Sequence, residues 1–112
     1  MGFLTDTVDG VRRRLERQPI DEPGLMALAL RMPPPRGFAA RLWSAKAPAV
    51  IGEVKRSSPS AGRIGDTEAG ARARAYEEAG ATAVSVLTEP VHFDGSLADL
   101  RAVHHEIGRA HV

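Results

Sequence analysis

Ala49-Val50-Ile51-Gly52-Glu53-Val54-Lys55-Arg56-Ser57-Ser58-Pro59-Ser60 is the stretch on which the reading of this chain turns. An apolar entry leads to a carboxylate and an amine two residues apart, then to a serine-rich turn containing proline. This reads as a short strand running into a loop. Side chains alternate along a strand, so Ile51, Glu53 and Lys55 fall on one side and Gly52 and Val54 on the other. The apolar run at 49–51 predicts burial on both faces, as in a parallel sheet. An acid and an amine sharing a face are costly inside a core. They belong at the rim of a site that binds something charged.

Downstream, residues 56–64 read as a loop. Asp66 is a candidate N-cap for a helix over about 67–79, closed by Gly80. Ala69, Ala73, Tyr76 and Ala79 form its small-residue face, suited to close packing on a sheet. Residues 83–88 are β-branched and uncharged, and read as a second strand stopped by Glu89-Pro90. A loop with Phe93 and Gly95 follows. Ser96 then caps a helix whose Leu97, Leu100 and Val103 share a face. Strand, helix, strand, helix predicts parallel pairing with a right-handed crossover and an α/β fold class.

Upstream, Leu4, Val8, Val11 and Leu15 recur at helical spacing and predict a helix over about 5–17. Arg12, Arg13, Arg14 and Arg17 are interleaved with Asp6, Asp9 and Glu16, which favours a solvated face over a nucleic-acid patch. Asp21 and Pro23 open a second helix carrying Leu25, Met26, Leu28, Ala29 and Met32, and its methionines read as packing. Pro33-Pro34-Pro35 ends it and is the clearest linker. A short helical segment over 37–44 offers Phe38, Leu42 and Trp43 as core contacts.

With 112 residues, 43% of them hydrophobic and 26% charged, the chain suits one small globular domain. A formal net charge of +1 gives no general attraction to nucleic acid or to an anionic membrane. The absence of cysteine excludes disulfides and thiolate metal sites. No signal-peptide pattern opens the chain and no apolar run approaches the ~20 residues that span a bilayer, so a cytoplasmic setting is expected.

In parallel α/β folds, ligands sit beyond the carboxyl ends of strands, where Glu53, Lys55, Ser57, Ser58 and Ser60 fall. A lysine there can hold a phosphate or carboxylate or donate a proton, and a nearby carboxylate can orient it. The same two residues also fit a structural ion pair, and the serines also fit a turn before Pro59. Glu89-Pro90 reads first as a strand stop. Phe93 is either a loop anchor or an aromatic wall for a planar ligand. His104 and His105 are adjacent and diverge on a helix, His92 and His111 are isolated, and no metal site is legible.

Two of these motifs carry a resemblance. Glu53-Val54-Lys55-Arg56-Ser57-Ser58-Pro59-Ser60, followed by Ser85-Val86-Leu87-Thr88-Glu89-Pro90 and Phe93-Asp94-Gly95-Ser96, resembles the indole-3-glycerol phosphate synthase family, as does Pro33-Pro34-Pro35-Arg36-Gly37-Phe38-Ala39-Ala40 before the first strand. The resemblance covers about residues 3–103. It implies a (β/α)8 TIM barrel with an N-terminal helical extension. The implied reaction is decarboxylating ring closure of 1-(2-carboxyphenylamino)-1-deoxyribulose 5-phosphate to indole-3-glycerol phosphate, a step of tryptophan biosynthesis. It implies a phosphorylated small-molecule substrate and neither metal nor organic cofactor. By motif position, Glu53 and Lys55 match catalytic residues, Ser58 lies in the adjoining substrate-binding loop, and Phe93 matches an aromatic residue that packs on the anthranilate ring.

A closed barrel of this kind has eight strands and typically ~250 residues. On this reading the chain is an N-terminal fragment: residues 1–46 are the helical extension, 47–106 the first two βα units, and 107–112 a non-native tail. Ile107-Gly108-Arg109-Ala110-His111-Val112 is a poor strand and equals the translation of a common sequencing-library adapter; a helix end with Gly108 as C-cap is the alternative. Groups on later strands being absent, the chain is expected to be inactive alone. Competing readings are another sugar-phosphate barrel enzyme, such as phosphoribosylanthranilate isomerase, and a non-catalytic α/β module completed by a partner chain.

Overall fold

The computed structural model describes residues 2–46, 48–65, 67–108 and 110–111. The chain divides into two compact units, one reaching to Pro34 and one from Pro35 onward, parted within the proline run.

The first unit holds two helices. In α1 (Phe3–Arg17), Asp6 in the first turn and Arg14 and Arg17 in the last complement the helix dipole. In α2 (Glu22–Ala29), the Asp21 carboxylate accepts from Gly24 N at 3.1 Å, and Pro23 occupies the first turn, where a missing N–H costs nothing. The helix stops at Ala29, so Met32 lies beyond it. Neither helix buries a residue completely.

The second unit opens with α3 (Phe38–Ser44). Phe38 and Leu42 are half-buried, but Trp43 is 94% exposed and is not the core contact expected of it. Strand β1 (Ile51–Val54) enters next. The predicted loop at 56–64 contains a small antiparallel hairpin, β2 (Ser57–Ser58) with β3 (Gly62–Arg63), because Ile64 N donates to Arg56 O at 2.7 Å and closes it.

Helix α4 (Ala69–Glu78) carries the chain back to β4 (Ala83–Val86), which pairs parallel to β1 with Ile51 opposite Ala83 and Val54 opposite Val86. The expected cap at Asp66 lies outside the described residues, and Glu68 takes the N-cap position without a side-chain bond. At the other end Gly80, at φ 99°, lets its N–H reach Glu77 O while Ala81 N reaches Tyr76 O. This is the Schellman closure that Gly80 suggested. Ala69, Gly70 and Ala73 are the buried face, whereas Ala79 is exposed.

Helix α5 (Leu97–Glu106) begins where the Ser96 hydroxyl accepts from Asp99 N at 3.0 Å. It packs beside α4, and an Arg74–Glu106 ion pair joins the two. Val103 is buried, Leu100 partly so, and Leu97 is 69% exposed. The core gathers Val54, Ala69, Ala73, Val84, Val86, Val103 and Ile107.

Two expectations are corrected here. Burial on both faces of β1 does not occur: Gly52 and Val54 are buried, while Ile51 is 46% exposed on the opposite face. Nor does the ordered sheet end at two strands. A third, β5 (Ala110–His111), pairs parallel to β4 and gives the order β1-β4-β5, with Ile107 only 3% exposed beneath the turn from α5. Side-chain composition made residues 107–112 look like a poor strand, but ladder pairing uses backbone groups that every non-proline residue carries.

Candidate functional site

The site is built where β1 and β4 end. Lys55 follows β1 directly, and its Nζ lies 3.4 Å from Glu53 Oε2, with side chains 30% and 47% exposed. Alternation puts them on the open face of the strand, as the sequence predicts. An ion pair this exposed contributes no more than about 1 kcal/mol to stability. Stability therefore does not explain why a strand would carry it.

Parallel register sets Glu53 opposite Ser85, and Leu87 N donates to Val54 O at 3.1 Å, so both strands leave the sheet at the same level. Two structured loops rise from there. The first is the β2–β3 hairpin, in which Ser58 is 8% exposed and its Oγ accepts from Ala61 N at 3.1 Å. Of the two readings open for this serine, that bond serves the turn-shaping one. Arg56, at the hairpin base, donates through Nε and Nη2 to the two Asp99 carboxylate oxygens at 3.0 and 2.9 Å. The bond to Asp99 is the largest cause holding the Arg56 guanidinium above its ordinary pKa, against the pull of desolvation. A raised cation stabilises the fold at all pH below its unfolded value and loses that contribution only as pH climbs through the folded one, so this pair's arginine is charged across the working range.

The second loop follows β4. The Glu89 carboxylate accepts from Val91 N at 3.1 Å and His92 N at 2.7 Å, and its carbonyl accepts from Gly95 N at 3.0 Å. β4 ends at Val86, ahead of the Glu89-Pro90 stop that the sequence suggests, and Glu89 instead shapes the loop that bears half-buried Phe93. Asp94 stands at φ 52°, a left-handed conformation that Asp tolerates, and accepts from Arg63 at 3.2 Å, linking the two loops.

Arg56, Asp94, Gly95, Ser96 and Asp99 line a shallow cavity of about 230 Å³ between these loops. A larger hollow of about 320 Å³, lined by Arg41, Lys46, Pro48 and Thr82 among others, lies at the N-terminal ends of the strands. The strand C-terminal ends are the better guide to chemistry, because in parallel sheets the loops that bind ligands converge there. Among the described residues no cluster of His, Cys, Asp and Glu is arranged to hold a metal ion. The Arg56–Asp99 and Arg63–Asp94 links join residues 43 and 31 positions apart and have no local sequence signal.

Parallel βα units with a charged pair at one strand end and two ordered loops above it define an α/β protein of the strand-end-site class. The chain matches the family model for indole-3-glycerol phosphate synthase over residues 4–110. The chain belongs to this family. Curated relatives bearing that name include one from Micrococcus luteus, 48% identical over 110 residues, and one from Parafrankia, 46% identical over 110. Each match covers 92% of this chain, and 41% and 39% of the respective relative. A third, from Exiguobacterium, is 45% identical over 87 residues, 77% of this chain and 30% of the relative. The chain thus spans well under half the length of the curated relatives it matches. The two parallel βα units are what it displays of the barrel that the resemblance implies. No helix among the described residues is long and apolar enough to cross a membrane.

Proposed function

We propose that the chain contributes the first strand-end groups of an indole-3-glycerol phosphate synthase, closing the ring of 1-(2-carboxyphenylamino)-1-deoxyribulose 5-phosphate with loss of carbon dioxide and water, in the cytoplasm. The observation that carries this is the Glu53–Lys55 pair, 3.4 Å apart on the open face at the end of β1, in a chain matching the family over residues 4–110. Lys55 holds an anionic group of the substrate or protonates the hydroxyl that leaves as water, and Glu53 orients the ammonium. Phe93 packs on the anthranilate ring. Ser58 keeps the hairpin in the shape that meets the substrate, with its hydroxyl committed to Ala61 N. Groups from further strand ends are needed for the chemistry, because orientation and charge stabilisation draw on several at once.

The test joins the chain in frame to the remaining length of the Micrococcus luteus relative and follows indole-3-glycerol phosphate formation. Turnover is expected in the joined protein and none in the chain alone. Lys55→Ala is expected to lower kcat/KM by about 100-fold or more, the range for removing a positioned acid. Undiminished turnover in that variant removes Lys55 from the site.

A further inference from the structure

Lys55 follows the last residue of β1 and stands between two bonded peptides. On one side, Val54 O accepts from Leu87 N at 3.1 Å, which ties the strand end to the segment leaving β4. On the other, Arg56 O accepts from Ile64 N at 2.7 Å and closes the β2–β3 hairpin. The first anchor belongs to the sheet. The second is only as steady as whatever holds the base of the hairpin.

Asp99 holds it. Arg56 donates through Nε and Nη2 to the two Asp99 oxygens at 3.0 and 2.9 Å, and a two-point fork fixes direction as well as distance. The side chains of this pair are 24% and 14% exposed, against 30% and 47% for Lys55 and Glu53. Asp99 is itself steadied in the first turn of α5, where its N–H donates to Ser96 Oγ at 3.0 Å. Asp94, the acid in the adjoining loop, is engaged by Arg63. Two cations adjacent in the chain are thus sorted onto separate carboxylates, Lys55 with Glu53 and Arg56 with Asp99. These contacts lie within two consecutive βα units, so a further strand pairing with the other edge of β1 leaves them in place.

We propose that Asp99 is a positioning residue for Lys55, acting through Arg56. It pins the peptide that follows Lys55, and it keeps the guanidinium away from Glu53, for which a released arginine one residue on would compete. The ammonium then leaves the strand end in one direction with Glu53 as its partner. This rests on the synthase reading of Glu53 and Lys55, and extends that reading to a carboxylate on α5.

Asp99→Asn keeps the size of the side chain and removes its charge. In the chain joined to the remaining length of the relative, the variant is expected to lower kcat about tenfold with KM changed less than about twofold, since small misplacements of a reacting group cost rate more than binding. Rates are counted per titrated active site. A lower yield of folded protein with unchanged kcat per site is the signature of a purely structural pair and overturns the proposal. Arg56→Lys keeps the charge and gives up the fork, and kcat per site is expected to fall there too; where Asp99→Asn does not fold, this variant decides alone. If the unsubstituted joined protein shows no turnover, the synthase reading fails on its own. The crystal structure of the substituted joined protein then decides the positioning claim: a Lys55 ammonium displaced from Glu53 or spread over several conformers upholds it, and an Oε2–Nζ separation still at 3.4 Å rejects it.

Discussion

At the scale of single residues, the site depends on groups that hold one another as much as on groups that face solvent. Ser58 is the clearest case, since its hydroxyl is 8% exposed as a residue and already accepts the Ala61 amide. Removing that acceptor takes from the Ala61 amide its partner inside the turn. Ser58→Ala is expected to cost about 1 kcal/mol and to open the 58–61 turn, seen as faster hydrogen exchange at Ala61. Unchanged exchange there would mean that the turn closes without the hydroxyl. Arg56 acts over a longer reach, because its planar fork spans both oxygens of Asp99 where a lysine offers a single point of charge.

At the scale of elements, the loop between β4 and α5 is the tightest piece of construction. Gly95 is buried, and a Cβ there would collide with the backbone carbonyl of Leu87 and with Thr88. Backbone cannot step aside as a flexible side chain can. Gly95→Ala is expected to destabilise the unit by about 1–3 kcal/mol, the usual cost of overpacking. In the protein joined to the remaining length of the relative, it should also loosen the neighbouring Ser96 cap, so that helix signal in circular dichroism and the urea midpoint fall together. Retention of the parental midpoint would show that the loop has slack which its packing does not suggest. The Glu89 carboxylate, engaged by two amides, is the element's other anchor.

At the scale of the whole molecule, the balance between core and surface is unfavourable. The largest side chains buried completely are Val84 and Val103, each contributing about 1.5–3 kcal/mol by burial. Against them stand Val50, Ile51 and Trp43 at 50%, 46% and 94% exposure, and a sheet whose β1 edge is open to pairing. The isolated chain is therefore expected to associate with itself. Sedimentation velocity should show mean mass rising with concentration, and a dilute sample should lack a sharp thermal transition. A monomer of constant mass with one cooperative transition would contradict this.

Much of this arrangement is written locally in the chain. Alternation in Gly52-Glu53-Val54-Lys55 determines which side chains share a face, Asp21 and Ser96 determine where helices begin, and Gly80 determines where one ends. These follow from backbone geometry and hydrogen-bond needs that lie within a few residues, which is why they are legible without coordinates. The outer face of β1, the exposure of Trp43 and the pairing at 110–111 were decided elsewhere, by which surfaces other parts of the chain cover. The same holds for the Arg56–Asp99 fork and the Tyr76 bond to Glu53, whose partners are 43 and 23 positions apart. The sequence by itself determined that an acid and an amine would stand together at a strand end. Only tertiary packing decided what steadies them, because a carboxylate from a helix reaches Arg56, beside Lys55, only after that helix has folded back against the base of the hairpin.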